Sequence, residues 1–228
     1  CLHPSALAGI LQDEGDRNLD GLGAHALMER MGIEKSELRT PQTVGRWEYL
    51  IESGENADSE AAIGDSGAKG AKLAAEAGIP MPEELKGDLP DPENRYGTVG
   101  ALSLDSEGHL WACTSTGGRG HETPGRISDS PTPAGNYACS EVAISATGFG
   151  EQILDLNICG RIATRVLDGL SLEEALERSF VETLAHGGLL GVIALTAKGE
   201  VGYAHTTEAC GVAWLDALGA RFIDPHGR

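Results

Sequence analysis

The hydrophobic pattern changes character near Gly97. Before it, apolar residues recur at helical spacing, with Gly15 and Gly32 as stop signals. From about residue 55 to residue 97 the chain is rich in Gly, Ala, Pro and acidic residues and has little apolar periodicity. The pattern predicts a helical front piece, a flexible linker and a back piece built on strands. The predicted front helices cover residues 3–15, 22–33 and 40–55.

The back piece alternates between strand-like and helical patterns. A capping box, Ser171 followed by Glu174, marks the start of one helix. Strands, then two helices, then strands favour an antiparallel sheet with helices segregated on its faces. The predicted strands are 98–105, 110–116, two short ones within 137–148, and a hairpin over 189–207 that turns at 197–200; the predicted helices are 149–169 and 171–186.

Composition narrows the class of protein. The chain has 228 residues of which 40% are hydrophobic, enough for a sizeable core, but only 4% are aromatic. The formal net charge of −18 disfavours binding to nucleic acid or to an anionic membrane surface. No stretch is apolar over the length of a bilayer. Five cysteines without a CxxC or a Cys/His cluster predict small buried side chains in a reducing cytoplasm, and no metal site.

Hydroxyl residues flank the first predicted strand pair. Thr98 follows Gly97 directly, and Thr114, Ser115 and Thr116 close the second strand. A hairpin with a polar tip would explain them. Alternatively, a cut before Thr98 would free an α-amino group that titrates near neutrality and can act as base for the hydroxyl of the same residue. Gly97 suits such a cut, since glycine tolerates strained backbone and leaves the carbonyl carbon open to attack.

Four motifs in order carry a family resemblance. The segments "GTVGALSLDSEGHLWACTSTGG", "PGRISDSP", "NYA" and "SATGFGE" resemble the plant-type L-asparaginase/isoaspartyl aminopeptidase (β-aspartyl-peptidase) family of N-terminal-nucleophile hydrolases. The spacing fits over most of Gly97 to Trp214, and the front piece resembles the α-subunit of that family. The resemblance implies an α+β fold, the four-layer αββα sandwich. It also implies one domain of two parts: residues 1–97, the C-terminal part of the α-subunit with the linker (about 55–97), and residues 98–228, the β-subunit.

The resemblance implies a catalytic set. Thr98 corresponds to the nucleophile, which autoproteolysis after Gly97 releases as a new N-terminus. Thr116 corresponds to the hydroxyl that hydrogen-bonds near the nucleophile. Thr147 and Gly148 correspond to the oxyanion hole, where a hydroxyl and a backbone N–H meet the developing charge. Without the family, Thr147 and Gly148 would be interpreted as a turn before a helix.

It also implies a set of substrate contacts. Arg126 corresponds to the clamp on the substrate α-carboxylate, for which a planar guanidinium is well suited. Asp129 corresponds to the anchor of the α-ammonium, and Gly150 to a backbone contact with that ammonium. Thr147 and Gly148 also contact the substrate. Without the family, Arg126 and Asp129 would be interpreted as a surface ion pair.

The implied function is hydrolysis of β-aspartyl bonds, in isoaspartyl dipeptides and in the side-chain amide of L-asparagine. No cofactor is expected, and the expected assembly is a homodimer of cleaved α/β protomers in the cytoplasm. A glycosylasparaginase-like amidase is the alternative enzyme, although Gly97 stands where that group usually has Asp. A catalytically impaired, non-enzymatic relative is the other alternative. His109, His121 and His205 are not expected to be catalytic, since an N-terminal nucleophile supplies its own base.

The sequence departs from the family at two places. The family's α-subunit opens with a strand and a Gly-Gly turn that do not occur before Cys1, so we expect the chain to lack the N-terminal part of that subunit and to be poorly active on its own. The loop "SPTPAGNYA" is one residue shorter than usual, and Ser128 stands where Gly is usual. Substrate affinity is therefore expected to differ.

Overall fold

A computed structural model describes residues 4–37, 97–118, 125–207, 210–216 and 219–223, together with residues 39, 41, 44, 45 and 48. The chain divides into two compact units, Cys1–Gly97 with Gly117–Arg126 and Thr98–Thr116 with Ile127–Arg228. Each unit is described by itself below.

The described part of the first unit is helical. Helix α1 covers Pro4–Leu11 and helix α2 covers Gly21–Arg30, which confirms the first two predicted helices. Asp20 is the N-cap residue of helix α2, and its side chain accepts a hydrogen bond of 2.7 Å from the Gly23 N–H. Gly32, at a φ of 67°, follows its end. Of the third predicted helix, residues 41, 44, 45 and 48 are helical. The remainder of that helix and the predicted linker lie outside the described residues.

The second unit combines helices and strands, as the sequence predicts for a mixed α+β protein. In its described residues, three helices come after the fourth strand and before the fifth in chain order. The described elements are β1 Val99–Leu104, β2 Leu110–Ser115, β3 Asn136–Ala138, β4 Val142–Gly148, α3 Gly150–Leu156, α4 Ile158–Leu167, α5 Leu172–Ala185, β5 Leu190–Thr196, β6 Val201–His205, β7 Val212–Asp216 and β8 Gly219–Ile223. The strands form a two-stranded sheet β1–β2, a four-stranded antiparallel sheet in the order β3–β4–β5–β6, and a further pair β7–β8.

The four-stranded sheet lies between the helices and the β1–β2 hairpin. Alternate residues of β4, such as Ile144 and Ala146, join one buried cluster with residues of α3, α4 and α5. The opposite face meets the hairpin, whose two strands both contact β4. The contact is close: a Cβ at Gly100 of β1 would lie only 2.9 Å from Ser145 Cβ. Glycine at this position therefore allows the two sheets to approach each other.

Two features of the second unit differ from the prediction. The expected single helix over 149–169 is broken at Asn157, which adopts a left-handed conformation with a φ of 47°. Asparagine tolerates this conformation better than most residues, so the chain can change direction between α3 and α4 without a glycine. The β7–β8 hairpin was not predicted from the sequence. The predicted hairpins β1–β2 and β5–β6 are confirmed.

Helices α4 and α5 are joined by side chains. Glu182 of α5 accepts hydrogen bonds from Arg161 at 2.5 Å and from Arg165 at 2.6 Å, both on α4. Arg165 also donates to the buried Ser179 hydroxyl at 2.7 Å. Hydrogen bonds from Arg165 are the main cause that holds the pKa of Glu182 below its usual value. The predicted capping box at the start of α5 is confirmed, with reciprocal bonds between Ser171 and Glu174.

The four cysteines that the structure describes are free, and they differ in exposure. Among the described cysteines, Cys159 is buried, Cys139 and Cys210 are half-buried, and Cys113 is exposed. The expectation of uniformly buried cysteines is therefore wrong for Cys113, because this residue lies on the outward face of β2, opposite to the face that meets β4. The part of the chain that the structure describes contains no helix of the length and hydropathy needed to cross a membrane.

Candidate active site

Thr98 and Thr116 meet at the open end of the β1–β2 hairpin. Thr98 immediately precedes β1 and Thr116 immediately follows β2, and the register pairs their neighbours Val99 and Ser115. The Thr98 hydroxyl donates a hydrogen bond of 3.4 Å to the Thr116 hydroxyl. A distance this long is weak for an O–H donor, so a modest movement would either break or tighten it. The structure thus brings together two of the residues predicted to be catalytic.

Strand alternation places both hydroxyls on the inward face of the hairpin. Side chains two residues apart on a strand lie on the same face. Thr98 therefore shares a face with Gly100, and Thr116 shares a face with Thr114. Gly100 packs on Ser145 of β4, and Thr114 forms a hydrogen bond of 2.7 Å with the Ser145 hydroxyl. Thr98, which is half-buried, and Thr116, which is exposed, continue this pattern just beyond the ends of the two strands.

The same rule applies to Thr147 on the opposing sheet. It lies two residues after Ser145 within β4, whereas the neighbours Ile144 and Ala146 pack into the core with the helices. Thr147 therefore lies on the sheet face that meets the hairpin. The threonines at positions 98, 116 and 147 all belong to the faces that line the space between the two sheets.

The atoms around position 148 leave room only for glycine. It ends β4 with a φ of 132°, and a Cβ there would lie 2.6 Å from Leu190 Cα and closer still to the Leu189 carbonyl oxygen. Both Thr147 and Gly148 belong to β4, so their interpretation as a turn is wrong. Gly150 is buried and is the first residue of helix α3. Their roles in an oxyanion hole and in substrate binding stay predictions.

Asp129 is buried, with 6% of its surface exposed. Its carboxylate packs against Gly135, where a Cβ would lie 2.7 Å from the Asp129 backbone carbonyl and closer still to the carboxylate oxygen. Burial and, to a smaller extent, the Asp129 charge raise the pKa of the Cys159 thiol, so Asp129 lies near the start of α4. Asp129 is therefore not a surface residue.

Arg126 belongs to the first unit and is half-buried, whereas Asp129 belongs to the second unit. Their pairing as anchors for the carboxylate and ammonium of one substrate stays a prediction.

Gly97 is exposed and shows no positive φ. A Cβ at Gly97 would make an ordinary contact of 3.7 Å with the Gly118 carbonyl oxygen. The conformational freedom that we expected to explain this glycine is therefore not used in the described backbone. Its lack of a side chain beside the carbonyl carbon remains the physical reason for glycine at a cut.

The turn of the β1–β2 hairpin holds a local polar network. Asp105 accepts hydrogen bonds from the His109 N–H at 2.8 Å and from the Trp111 indole at 3.1 Å, which together lower its pKa to about 2. His109 belongs to this turn, at the opposite end of the hairpin from Thr98. Among the described residues, no group of three or more His, Cys, Asp and Glu side chains is arranged to hold a metal ion.

The polar contacts that connect the two sheets were not predicted from the sequence. Ser145 forms the hydrogen bond with Thr114, and Asn136 of β3 donates from Nδ2 to the Ala112 carbonyl at 3.5 Å. A signal was present in the spacing, because Ser145 lies two residues before Thr147 and Thr114 lies two residues before Thr116. Same-face hydroxyls at both places could have pointed to a shared polar layer.

A mixed helix-and-sheet unit, with a threonine at the start of an inner strand, is the arrangement expected of N-terminal-nucleophile hydrolases. The sequence profile of the family described as asparaginase matches residues 2–221. The chain therefore belongs to the asparaginase family, whose fold is of the N-terminal-nucleophile type.

Individual relatives support this membership. The chain is 36% identical over 214 residues to an isoaspartyl peptidase/L-asparaginase of Nostoc. The matched segment covers 94% of this chain and 61% of the relative. It is 34% identical over 204 residues to a protein of the same name from Synechocystis, with 90% and 55% coverage. It is 41% identical over 150 residues to the isoaspartyl peptidase of Escherichia coli, with 64% and 44% coverage. The chain thus spans less than two thirds of the length of these relatives.

Proposed function

We propose that the protein hydrolyses β-aspartyl bonds, both in isoaspartyl dipeptides and in the side-chain amide of L-asparagine, after it cuts itself between Gly97 and Thr98. The observation that carries the proposal is the contact between the Thr98 and Thr116 hydroxyls on the inward face of the hairpin. Membership of the asparaginase family supports it, as do the names of the Nostoc and Escherichia coli relatives, isoaspartyl peptidase/L-asparaginase and isoaspartyl peptidase.

Self-cleavage comes first in the proposed sequence. The Thr98 hydroxyl attacks the Gly97 carbonyl carbon, and the Gly97–Thr98 amide becomes an ester between Gly97 and the Thr98 Oγ. Water then hydrolyses this ester. The products are a carboxylate at Gly97 and a free α-amino group on Thr98, so one peptide bond and one water molecule are consumed.

The freed amine then acts as the base for substrate hydrolysis. It accepts the hydroxyl proton while the Thr98 Oγ attacks the side-chain carbonyl carbon of the substrate. Thr147 and the Gly148 N–H donate to the oxyanion that forms. The amine returns the proton to the leaving nitrogen. This nitrogen departs as ammonia from L-asparagine, or as the amino group of the second residue from a β-aspartyl dipeptide. Water then cleaves the acyl-enzyme, releasing aspartate and restoring the Thr98 hydroxyl.

Substrate recognition needs two charged anchors. Arg126 binds the α-carboxylate through two parallel N–H donors, and Asp129 binds the α-ammonium together with the Gly150 backbone. Thr116 hydrogen-bonds with the Thr98 hydroxyl, orients it and tunes the freed amine of Thr98. These assignments explain why a β-aspartyl group is chosen, since its free carboxylate and ammonium are carried on one carbon.

The proposal extends to architecture and assembly. Residues 1–97 would form the α-part with its linker, and residues 98–228 would form the β-part that begins with the nucleophile. Together they would form one αββα sandwich domain, of which the second unit supplies a helical layer and two facing sheets. We propose a homodimer of cleaved protomers that acts on small molecules in the reducing cytoplasm that the cysteine usage favours.

The test is to purify the protein and to measure intact mass and activity together. We expect two fragments whose junction is Gly97–Thr98, and release of ammonia from L-asparagine. A β-aspartyl dipeptide should be cleaved, while the corresponding α-aspartyl dipeptide should not. Thr98→Ala should stay whole and inactive, because one hydroxyl serves both reactions. Thr164→Ala is a matched control, since Thr164 is exposed on α4 and lies far from the hairpin in sequence.

The outcomes separate the alternatives. Two fragments from the Thr98→Ala protein would remove Thr98 from the role of nucleophile. A wild-type protein that stays whole and inactive, both as residues 1–228 and in an N-terminally extended form, would favour a non-enzymatic relative. Cleavage of an Asn-linked sugar, without activity on dipeptides, would favour the glycosylasparaginase-like alternative.

A further inference from the structure

Two consecutive inward positions of β2 are attached to the four-stranded sheet. Thr114 Oγ1 and Ser145 Oγ form a hydrogen bond of 2.7 Å. Asn136 Nδ2 donates to the carbonyl of Ala112, the preceding inward position, at 3.5 Å. Asn136 and Ser145 are themselves cross-strand partners on β3 and β4. One cross-strand pair therefore holds β2 at two neighbouring places, and Thr116 directly follows the end of this strand, two residues after Thr114.

Gly100 shows how closely the hairpin packs at this point. It is the cross-strand partner of Thr114, and a Cβ there would lie 2.9 Å from Ser145 Cβ and 3.4 Å from Ile193 Cδ1. Real Cβ atoms almost never approach a heavy atom within 3.0 Å. The backbone of β1 is therefore pressed onto Ser145 at the position two residues after Thr98. A shift of Ser145 would move β1 and Thr98 with it.

Burial makes the contact between these hydroxyls strong. Ser145 has 3% of its surface exposed, so its hydroxyl cannot turn to bulk water when the partner is removed. The Asn136 Oδ1 atom is buried and has no hydrogen-bond partner among the described residues. One of the two hydroxyls donates to the other, so the proton of the accepting hydroxyl is left over. Asn136 lies beside Ser145 on the same sheet face, because the two residues are cross-strand partners. The contact of β2 with Ser145 and Asn136 is thus polar, closely packed and sensitive to the loss of one polar group.

We infer that Ser145 and Thr114 are positioning residues, which fix the Thr98–Thr116 pair of the hairpin against the Thr147 end of β4. The inference rests on the proposed function. Ser145 lies two residues before Thr147, Thr114 lies two residues before Thr116, and Gly100 lies two residues after Thr98. A hydrogen bond at this place sets the separation of the nucleophile from the oxyanion donors. Neither residue touches the substrate in this account.

The experiment compares two substitutions at one position. Thr114→Val keeps the shape of the side chain and removes the hydroxyl, while Thr114→Ser keeps the hydroxyl and removes a methyl group. We expect Thr114→Val to lower kcat for L-asparagine and the rate of self-cleavage by about tenfold, since small misplacements of reacting groups are costly. The KM should be unchanged, because the proposed anchors are not altered. Thr114→Ser should retain activity near that of the wild type.

Controls separate positioning from stability. Ser103→Ala is matched, because Ser103 lies on the outward, exposed face of β1. A cycle of Thr114→Val, Ser145→Ala and the double variant, followed by denaturant unfolding, measures the hydrogen bond without activity. The double variant should be less destabilised than the sum of the single variants. Losses of stability that add up in the double variant would show that the two hydroxyls are not coupled, and would overturn the inference.

The remaining outcomes are distinct. If the wild type is active and Thr114→Val is equally fast, the positioning role is wrong while the proposed function stands. If Thr114→Ser is impaired as much as Thr114→Val, the side chain acts through packing and the inference also fails. A wild-type protein that neither cuts itself nor releases ammonia overturns the proposed function, and the positioning role with it.

Discussion

The hydroxyl oxygens of Thr98 and Thr116 lie 3.4 Å apart, although the two residues are 18 positions apart in the chain. The contact depends on the β1–β2 register, which pairs Val99 with Ser115 and Leu104 with Leu110. A slip of the register by one residue would turn one hydroxyl to the outward face. The hairpin is therefore the element that brings the proposed nucleophile, Thr98, and the Thr116 hydroxyl together.

The first prediction concerns this pair. Thr116→Val should lower kcat for L-asparagine by about ten- to a hundredfold, because the Thr98 hydroxyl loses its acceptor while the shape of the strand is kept. Thr116→Ser keeps an acceptor and should retain most of the activity. Steady-state ammonia release from both variants checks this. Equal rates for Thr116→Val and the wild type would show that the contact has no role in turnover.

A second prediction separates substrate binding from self-cleavage. Arg126→Lys should raise the KM for L-asparagine, because an ammonium cannot reproduce the bidentate grip of a guanidinium on a carboxylate. Self-cleavage involves no substrate carboxylate, so fragment formation should proceed at the wild-type rate. A gel time course and initial-rate kinetics on the same preparation check both. An unchanged KM would mean that Arg126 is structural.

The third prediction uses two glycines with positive φ. Gly148→Ala should destabilise the protein by about 3 kcal/mol or more, because it combines an unfavourable φ of 132° with a clash against Leu189 and Leu190. Gly199→Ala is the matched control: its φ is 81°, but nothing lies within 4 Å of the added Cβ. Its cost should be about 1–2 kcal/mol. Chemical denaturation measures the two values, and similar losses would show that crowding at Gly148 is relieved by movement.

A fourth prediction concerns pH. The folded state holds the pKa of Glu182 below its usual value, first through the hydrogen bond from Arg165 and also through that from Arg161. A depressed carboxyl pKa contributes stability above its unfolded value, and this contribution is lost as the pH falls through the folded value. Glu182→Gln should therefore lower stability at pH 7 by about 1 kcal/mol, discounted for partial exposure.

The difference between Glu182→Gln and the wild type should shrink as the pH falls below about 4.3, the usual pKa of a glutamate, because the unfolded chain then takes up a proton before the folded chain does. It should vanish only below the lowered folded pKa of Glu182. Thermal unfolding at pH 7 and at pH 3 checks this. Glu177→Gln on the exposed face of α5 is the control and should show little dependence. A gap between Glu182→Gln and the wild type that is as large at pH 3 as at pH 7 would contradict the electrostatic explanation.

The sequence by itself determined the elements that rest on local patterns. Alternation predicted the β1–β2 and β5–β6 hairpins, and the order of strands and helices predicted a mixed fold. The capping box of Ser171 and Glu174 fixed the start of α5, because both partners lie within one helical turn. The four motifs indicated the asparaginase family, because the order and spacing of short segments can be read without coordinates.

Tertiary structure alone decided which hydroxyl bonds which. Thr114, Ser115 and Thr116 are adjacent in sequence, yet Thr116 meets Thr98, Thr114 meets Ser145, and Ser115 is exposed. Alternation assigns side chains to faces, but the partner across a sheet interface depends on how two sheets are placed on each other. The need for glycine at Gly100 and Gly148 has the same origin, since the crowding atoms come from Ser145, Leu189 and Leu190, which are distant in sequence. Such contacts depend on packing, and local propensity does not encode them.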